Sequence, residues 1–467
     1  MSLLKPNVEP TMSVKPMINI GALFDVPTGK YEFGKYGESI LNGGLGILTG
    51  IVGIGNNFKS TIAHYHGLSA MSKIMTVTES SMSTYDTECN IHEGRLRDLA
   101  RMFFKDQDII DTQNWVITDS TIYPGNKWYE KFKEFLDTKI QHKKELTFEY
   151  PFLDRDGKNC LKGLVPTFGE VDSLTEFTTE DVLKMQDDNE IGDSGANTLH
   201  MRLALAKTRM LMELPHRITP AFHYLICTAH LGKEVQMATG PIPTPSNKKL
   251  TYLKNNDKVK GVGDKFFFSL SNLWHSYNAT PLINQSTKGE EYPLFRDDPR
   301  VGSTDLNVVT VRQLRSKSGR TGITLELIIS QSEGVLPTLT EFHYIKNMNR
   351  FGLDGNNTNY HLTLYPDVNL TRTTIRSKIN EDPLLARAIN ITSELCQMYQ
   401  FMNIDKDLIC TPQELYDDIK KLGYDWNVLL NTRGWWTLNN DKHEIPFLST
   451  MDLLRMRKEL YKPYWLK

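Results

Sequence analysis

Short apolar runs rich in β-branched residues alternate with stretches of helical period over residues 17–365. That alternation predicts an α/β layer fold with a mostly parallel central sheet. The runs place strands at 46–52, 74–78, 165–171, 223–229, 308–313 and 322–330. Helices are expected at 60–73, 94–104, 127–137 and 199–214. In the last of these, Leu203, Leu205, Leu211 and Leu214 interleave with Arg and Lys, as on an amphipathic surface helix. Two stretches interrupt the pattern. Residues 145–164 hold Asp154-Arg-Asp-Gly157 between short alternating runs, which predicts a β-hairpin. Residues 231–263 hold Pro241, Pro243 and Pro245 and no apolar period, which predicts a mobile loop of the kind that is usually functional. Residues 1–16 read as a flexible arm, and 366–467 as a separate small C-terminal domain that is mainly helical, with helices at 383–402, 412–422 and 451–461.

Composition narrows the class. With 39% hydrophobic and 24% charged residues the chain has the make-up of an ordinary soluble protein. A formal net charge of -2 means that any nucleic-acid contact must come from local patches. The five cysteines are scattered without metal-ligand spacing, so neither a disulfide framework nor a zinc site is indicated. The first residues lack an apolar signal core, and no uninterrupted apolar run is long enough to span a bilayer. A soluble, intracellular protein without a membrane partner is expected.

The chemistry begins where the first strand runs into a helix. Gly53, Ile54, Gly55, Asn56, Asn57, Phe58, Lys59 and Ser60 have Walker A spacing, with Phe58 in the place of the second glycine. Small residues let backbone N–H groups wrap phosphates, and the helix N-terminus favours their charge. Lys59 would supply a point charge to the β- and γ-phosphates, the Ser60 hydroxyl would ligate Mg²⁺, and Thr61 continues the nucleotide site. The bland reading is a glycine-rich turn at a helix start. Two acidic positions argue for the first reading. Asp172 ends an apolar strand, as a carboxylate holding the Mg²⁺ shell would. Glu88, in Thr84-Tyr-Asp-Thr-Glu88, is preferred as the group that activates the attacking water, with Glu79 as its rival because Glu79 ends the run at 74–78.

Taken together, these motifs resemble the RecA-like recombinases, most closely the UvsX branch of tailed phages, over residues 17–365. Pro16-Met-Ile-Asn-Ile20 looks like the strand that opens the UvsX core, and the Phe-Lys-Ser ending of the Walker A loop is itself UvsX-like. Tyr85-Asp-Thr-Glu88 is similar to the family's segment with the catalytic glutamate, and Glu170-Val-Asp172-Ser173-Leu174 to its Walker B strand. The run from Arg202 to Met210 resembles the helix after the first DNA-binding loop, and the strand ending at His230 resembles the one that carries a γ-phosphate sensor.

The resemblance implies an ATP- and Mg²⁺-dependent DNA-stimulated ATPase with a RecA-like core, acting in phage DNA recombination, repair and replication in the host cytoplasm. It would bind single-stranded DNA and pair it with homologous duplex, as a filament or ring with ATP at subunit interfaces, aided by single-strand-binding and loader proteins. By position, His230 would sense the γ-phosphate and residues 231–263 would be the second DNA-binding loop. The loop's own lysines agree: Lys233, Lys248, Lys249, Lys254, Lys258 and Lys260 suit a phosphate backbone, and Tyr252 could stack on a base. The first loop, 177–197, is acidic, a poor DNA surface. Arg315 and Lys317 match basic residues that reach the neighbouring subunit's γ-phosphate, and Arg95 lies where the family stacks a ring on adenine. With only residues 1–16 before the core, a counterpart of the family's subunit-docking helix is not expected. Two rivals therefore stand beside the recombinase: a hexameric RecA-core helicase, and a nucleotide-binding scaffold or loader with little turnover.

Overall fold

The computed structural model describes residues 14–187, 196–233, 250–254, 257–295, 304–356 and 358–466. Among them a ten-stranded mixed sheet forms the centre. Its strands are β1 (Leu48–Gly53), β2 (Met82–Asp86), β3 (Trp115–Asp119), β4 (Thr167–Asp172), β5 (His223–Lys233), β6 (Asp257–Val259), β7 (Asn272–Pro281), β8 (Leu306–Ser316), β9 (Thr324–Ser330) and β10 (Gly334–Val335). They lie in the order β10-β9-β8-β7-β1-β5-β4-β2-β3, with β6 paired to the outer end of β5. The neighbours from β7 to β3 are parallel, and β8 to β10 add an antiparallel flank. Every residue of β1 and β4 is buried, as expected of parallel strands covered on both faces.

Helices α1 (Lys59–Ile74) and α2 (Glu93–Arg101) cover one face, and α3 (Gly125–Gln141) and α4 (Ala196–Ile218) the other. The two-residue period of the strands divides the core accordingly. Ile51, Tyr224 and Ile226 pack with Ile62, Leu68 and Met71 of α1. Leu48, Val52, Leu225 and Cys227 pack with Trp128 and Phe132 of α3 and with Leu211 and Leu214 of α4. A further cluster runs from Tyr292 and Leu306 through α5 (Pro337–Asn347) and α6 (Pro383–Phe401) to Met456, so the C-terminal helices share a core with the flank of the sheet.

Several expectations need correction. The apolar run at 74–78 is not a strand: Ile74 closes α1, and the next residues turn before the true second strand at Met82–Asp86. A short apolar run serves either structure, and here it lies eight residues before the strand. Residues 16–20 make only an isolated bridge, Ile18 to Leu45, rather than an opening strand. Of the expected loop at 231–263, residues 234–249 and 255–256 lie outside the described residues, and regular pairing or packing is found among the others. β5 continues to Lys233 and pairs antiparallel with β6, while Leu250 and Leu253 are buried against Phe266 and Leu270. The hairpin at 145–164 is present as Thr147–Leu153 against Cys160–Leu164. Its Tyr150 and Phe152 enclose Trp436, with ring centroids 5.8 and 5.0 Å away.

Candidate functional site

The parallel strands all point their carboxyl ends toward one edge, and the candidate residues collect there. β1 ends on Gly53, where a side chain would not fit: a Cβ would lie 2.5 Å from the Ser276 carbonyl oxygen of β7. The loop is tied to the same strand by Asn57, whose Nδ2 donates to the Ser276 carbonyl at 3.2 Å, while Ser276 Oγ donates to the Asn57 carbonyl. Ile54, Gly55 and Asn56 stand exposed at the tip. Asn56 and Phe58 adopt left-handed backbone, with φ of 59° and 57°. Phe58 thus takes a conformation that suits the glycine it replaces, at a cost of roughly 1–2 kcal/mol. No side chain caps α1 at Phe58, so its first N–H groups are open to an anion. Lys59 folds back, its Nζ donating to the Ile54 carbonyl at 2.9 Å. Ser60 and Thr61 are half-buried in the first helical turn.

Facing this loop is a polar web made by the ends of β2, β4 and β5. Glu88 Oε1 lies 2.6 Å from His230 Nε2 and accepts from Ser173 Oγ at 3.1 Å, and Asn90 Nδ2 donates to its other oxygen at 3.3 Å. Partial burial pushes the Glu88 carboxyl up, but the His230, Ser173 and Asn90 contacts outweigh it and hold the group below the ordinary carboxylate range. Asp172 accepts from the Thr228 hydroxyl. Burial lowers the Lys59 ammonium, against the pull of the Asp172 and Glu88 charges, so loop and web share one electrostatic site. Beneath it, His64 Nδ1 of α1 meets Glu170 Oε2 at 2.7 Å, both buried.

Asp86 was not singled out from sequence, yet it builds the Glu88 turn. Its two carboxylate oxygens accept the backbone N–H groups of Glu88, Cys89, Asn90 and Ile91 at 2.8–2.9 Å. An Asp at a strand end just before a turn was the available signal. Thr228 and Ser276 carried none.

The other expected residues fall in distinct places. Glu79 precedes β2 at the opposite, amino edge, where it lines a cavity of about 390 Å³ with Lys139 and Thr167. It does not share the site of Glu88. Arg95 on α2 donates to the Ser332 carbonyl and lies outside the web. Arg315 is in register with Leu273, level with Gly50 rather than with the loop, and its guanidinium sits 5.8 Å from the Phe268 ring centroid. Lys317 Nζ donates to the Ser269 carbonyl at 3.4 Å. Both therefore sit toward the amino edge. Of the lysines, Lys233 pairs with Asp257, and Lys254, Lys258 and Lys260 are exposed around the β5–β6 stalk. Lys248 and Lys249 lie outside the described residues, as does most of the acidic stretch of the first loop. The Tyr252 ring rests on Gly322, where a Cβ would come within 2.4 Å of it.

No protein-family model matches the chain, and no curated protein matches it. No helix among the described residues is long and apolar enough to cross a membrane.

Proposed function

We propose that this chain is an ATP-dependent DNA recombinase with a RecA-like core, which coats single-stranded DNA and pairs it with homologous duplex. The observation that carries the reading is the Glu88–His230 contact at 2.6 Å, because His230 is also the root of the basic β5–β6 stalk. A γ-phosphate arriving between Lys59 and that pair would compete for both groups, and the change would pass directly to the stalk. Open N–H groups at the start of α1, the buried Lys59 and the exposed tip at Ile54 to Asn56 fit a triphosphate.

Glu88, held ionised, is the group to orient and deprotonate the attacking water. Ser60 and Asp172 would hold Mg²⁺, since a hydroxyl and a carboxylate are the hard oxygen donors it takes. When bound, the cation would neutralise phosphate charge. Arg315 and Lys317, away from their own loop, would serve a phosphate only across a contact with a second copy, which is what an assembly with interfacial ATP requires.

Turnover of ATP by the full chain, with and without single-stranded DNA, tests this together with electron microscopy. DNA stimulation and filaments are expected, and Lys59→Ala should abolish nucleotide binding. Absence of both stimulation and filaments overturns the proposal. A closed ring with directional unwinding would favour the helicase, and tight binding with negligible turnover the scaffold.

A further inference from the structure

Lys207 lies on the inner side of α4 and is only 4% exposed. Its ammonium donates to two main-chain carbonyls, Leu174 at 2.8 Å and Thr175 at 2.9 Å. These belong to the segment that leaves β4 just beyond Asp172 and Ser173. Thr175 makes the next link. Its hydroxyl accepts the His230 N–H at 2.8 Å and donates to the Lys260 carbonyl at 3.3 Å, while the Lys260 N–H donates to the His230 carbonyl at 2.8 Å. From His230 the chain of contacts reaches Glu88 at 2.6 Å. Four elements meet at this node: α4, the exit of β4, the end of β5 and the returning β6 strand.

A buried ammonium is costly unless its donors are used. Here two of them are used, and a methionine would fill the same space but take the donor from both carbonyls, so the lysine is there for its polar contacts and not for packing. What the lysine adds is a fixed distance between α4 and the two carbonyls, and through Thr175 a fixed position for the backbone of His230. The outer side of α4 is unlike the inner one. Met201 and Leu205 are 73% and 71% exposed there, so the helix offers a free surface whose buried side is bolted to the site.

We propose that Lys207 and Thr175 are positioning residues that couple α4 to the Glu88–His230 pair, making this helix a regulatory lever on turnover at the phosphate site. The inference rests on the ATPase reading above. Coupling of this kind is reciprocal, so the state of the site must also be felt along α4.

The test is hydrogen exchange of the full chain with and without a non-hydrolysable ATP analogue, combined with steady-state ATP turnover. In the wild type the analogue should slow exchange at residues 53–61 and also along α4 by about tenfold, within the usual range of coupling between sites. Lys207→Met should keep protection at 53–61, lose it along α4 and lower kcat about tenfold with KM for ATP changed less than about twofold. Lys207→Arg should restore part of the coupling. Should Lys207→Met fail to fold, Thr175→Val must show the same split and Thr175→Ser must not. Protection at 53–61 without any response of α4 overturns this proposal alone, as does a folded Lys207→Met or Thr175→Val protein with wild-type kcat and α4 protection. Absence of protection at 53–61 in the wild type overturns the ATPase reading as well.

Discussion

At the carboxyl ends of β1, β2, β4 and β5, the half-buried Glu88 and His230 hold one another within a web of polar side chains, and two residues of the glycine-rich loop keep left-handed backbone. Toward the amino ends the chain is closed by rings: Trp436 packs on Tyr150 and Phe152, its indole N–H donates to the Met17 carbonyl at 3.1 Å, and the Tyr224 hydroxyl donates to the Pro16 carbonyl at 3.0 Å. One edge has groups whose partners a ligand could replace. Around Trp436, apart from the cavity beside Glu79 and from Arg315 and Lys317, the other has groups whose partners are internal. The contrast separates residues that set chemistry from residues that set stability, and it gives the aromatic hairpin at 145–164 a role as a brace for the C-terminal segment.

The sharpest way to break the comparison is to neutralise one glutamate at each edge. Glu88→Gln keeps the size and hydrogen-bonding reach of the side chain but removes the base, so turnover should fall about 10²–10⁴-fold with nucleotide binding retained. Glu79→Gln should leave turnover within about twofold, because Glu79 lines the cavity beside Lys139, away from the loop. Steady-state ATP hydrolysis with equilibrium binding of a labelled nucleotide reads both. Loss of turnover in the Glu79 variant alone would reverse the assignment of the edges.

The second largest effect belongs to the brace. Trp436 is fully buried, and Trp436→Ala should cost about 3–5 kcal/mol of stability, measured by denaturant unfolding. Nucleotide affinity of the folded fraction should change little, since the ring contacts the hairpin and the N-terminal segment rather than the loop. A variant with native stability and lost binding would show that the two edges are not separable in this way.

How much of this was legible from the chain differs between the edges in the same sense. Lys59 and Asp172 were legible because one starts a helix and the other ends a strand, where local pattern and chemistry coincide. Glu88, by contrast, lies two residues past β2, His230 lies inside β5, and the role of His230 was only implied by the resemblance. The shared sheet then brings Glu88 and His230 within bonding distance although 142 positions separate them. The apolar run at 74–78 misled because a helix end and a strand carry the same short signature. Pairing of β6 onto β5 was hidden in a stretch without apolar period, and the register that sets Arg315 level with Gly50 is a long-range property of three strands. Asp86, Thr228 and Thr175 work by side-chain hydrogen bonds to backbone or carboxylate, which leave almost no trace in local sequence.

Phe58 is where the two regimes meet, and it gives the smallest and most discriminating effect. Its left-handed φ costs roughly 1–2 kcal/mol, which glycine would relieve. Against that, the half-buried ring packs on the core cluster beneath α1, and losing it forfeits about 1 kcal/mol, roughly half of full burial. Glycine also brings more freedom to the unfolded chain, by a further 0.5–1 kcal/mol or so. The terms nearly cancel, so Phe58→Gly should shift unfolding by less than about 1 kcal/mol and leave nucleotide affinity nearly unchanged. If stability fell by more than about 2 kcal/mol, the ring would be the anchor that holds the loop, and packing would reach into the polar edge. A clear gain in stability would instead mean that the strain in the loop is held by the contacts of Asn57 with Ser276 rather than by the ring, since those survive the substitution.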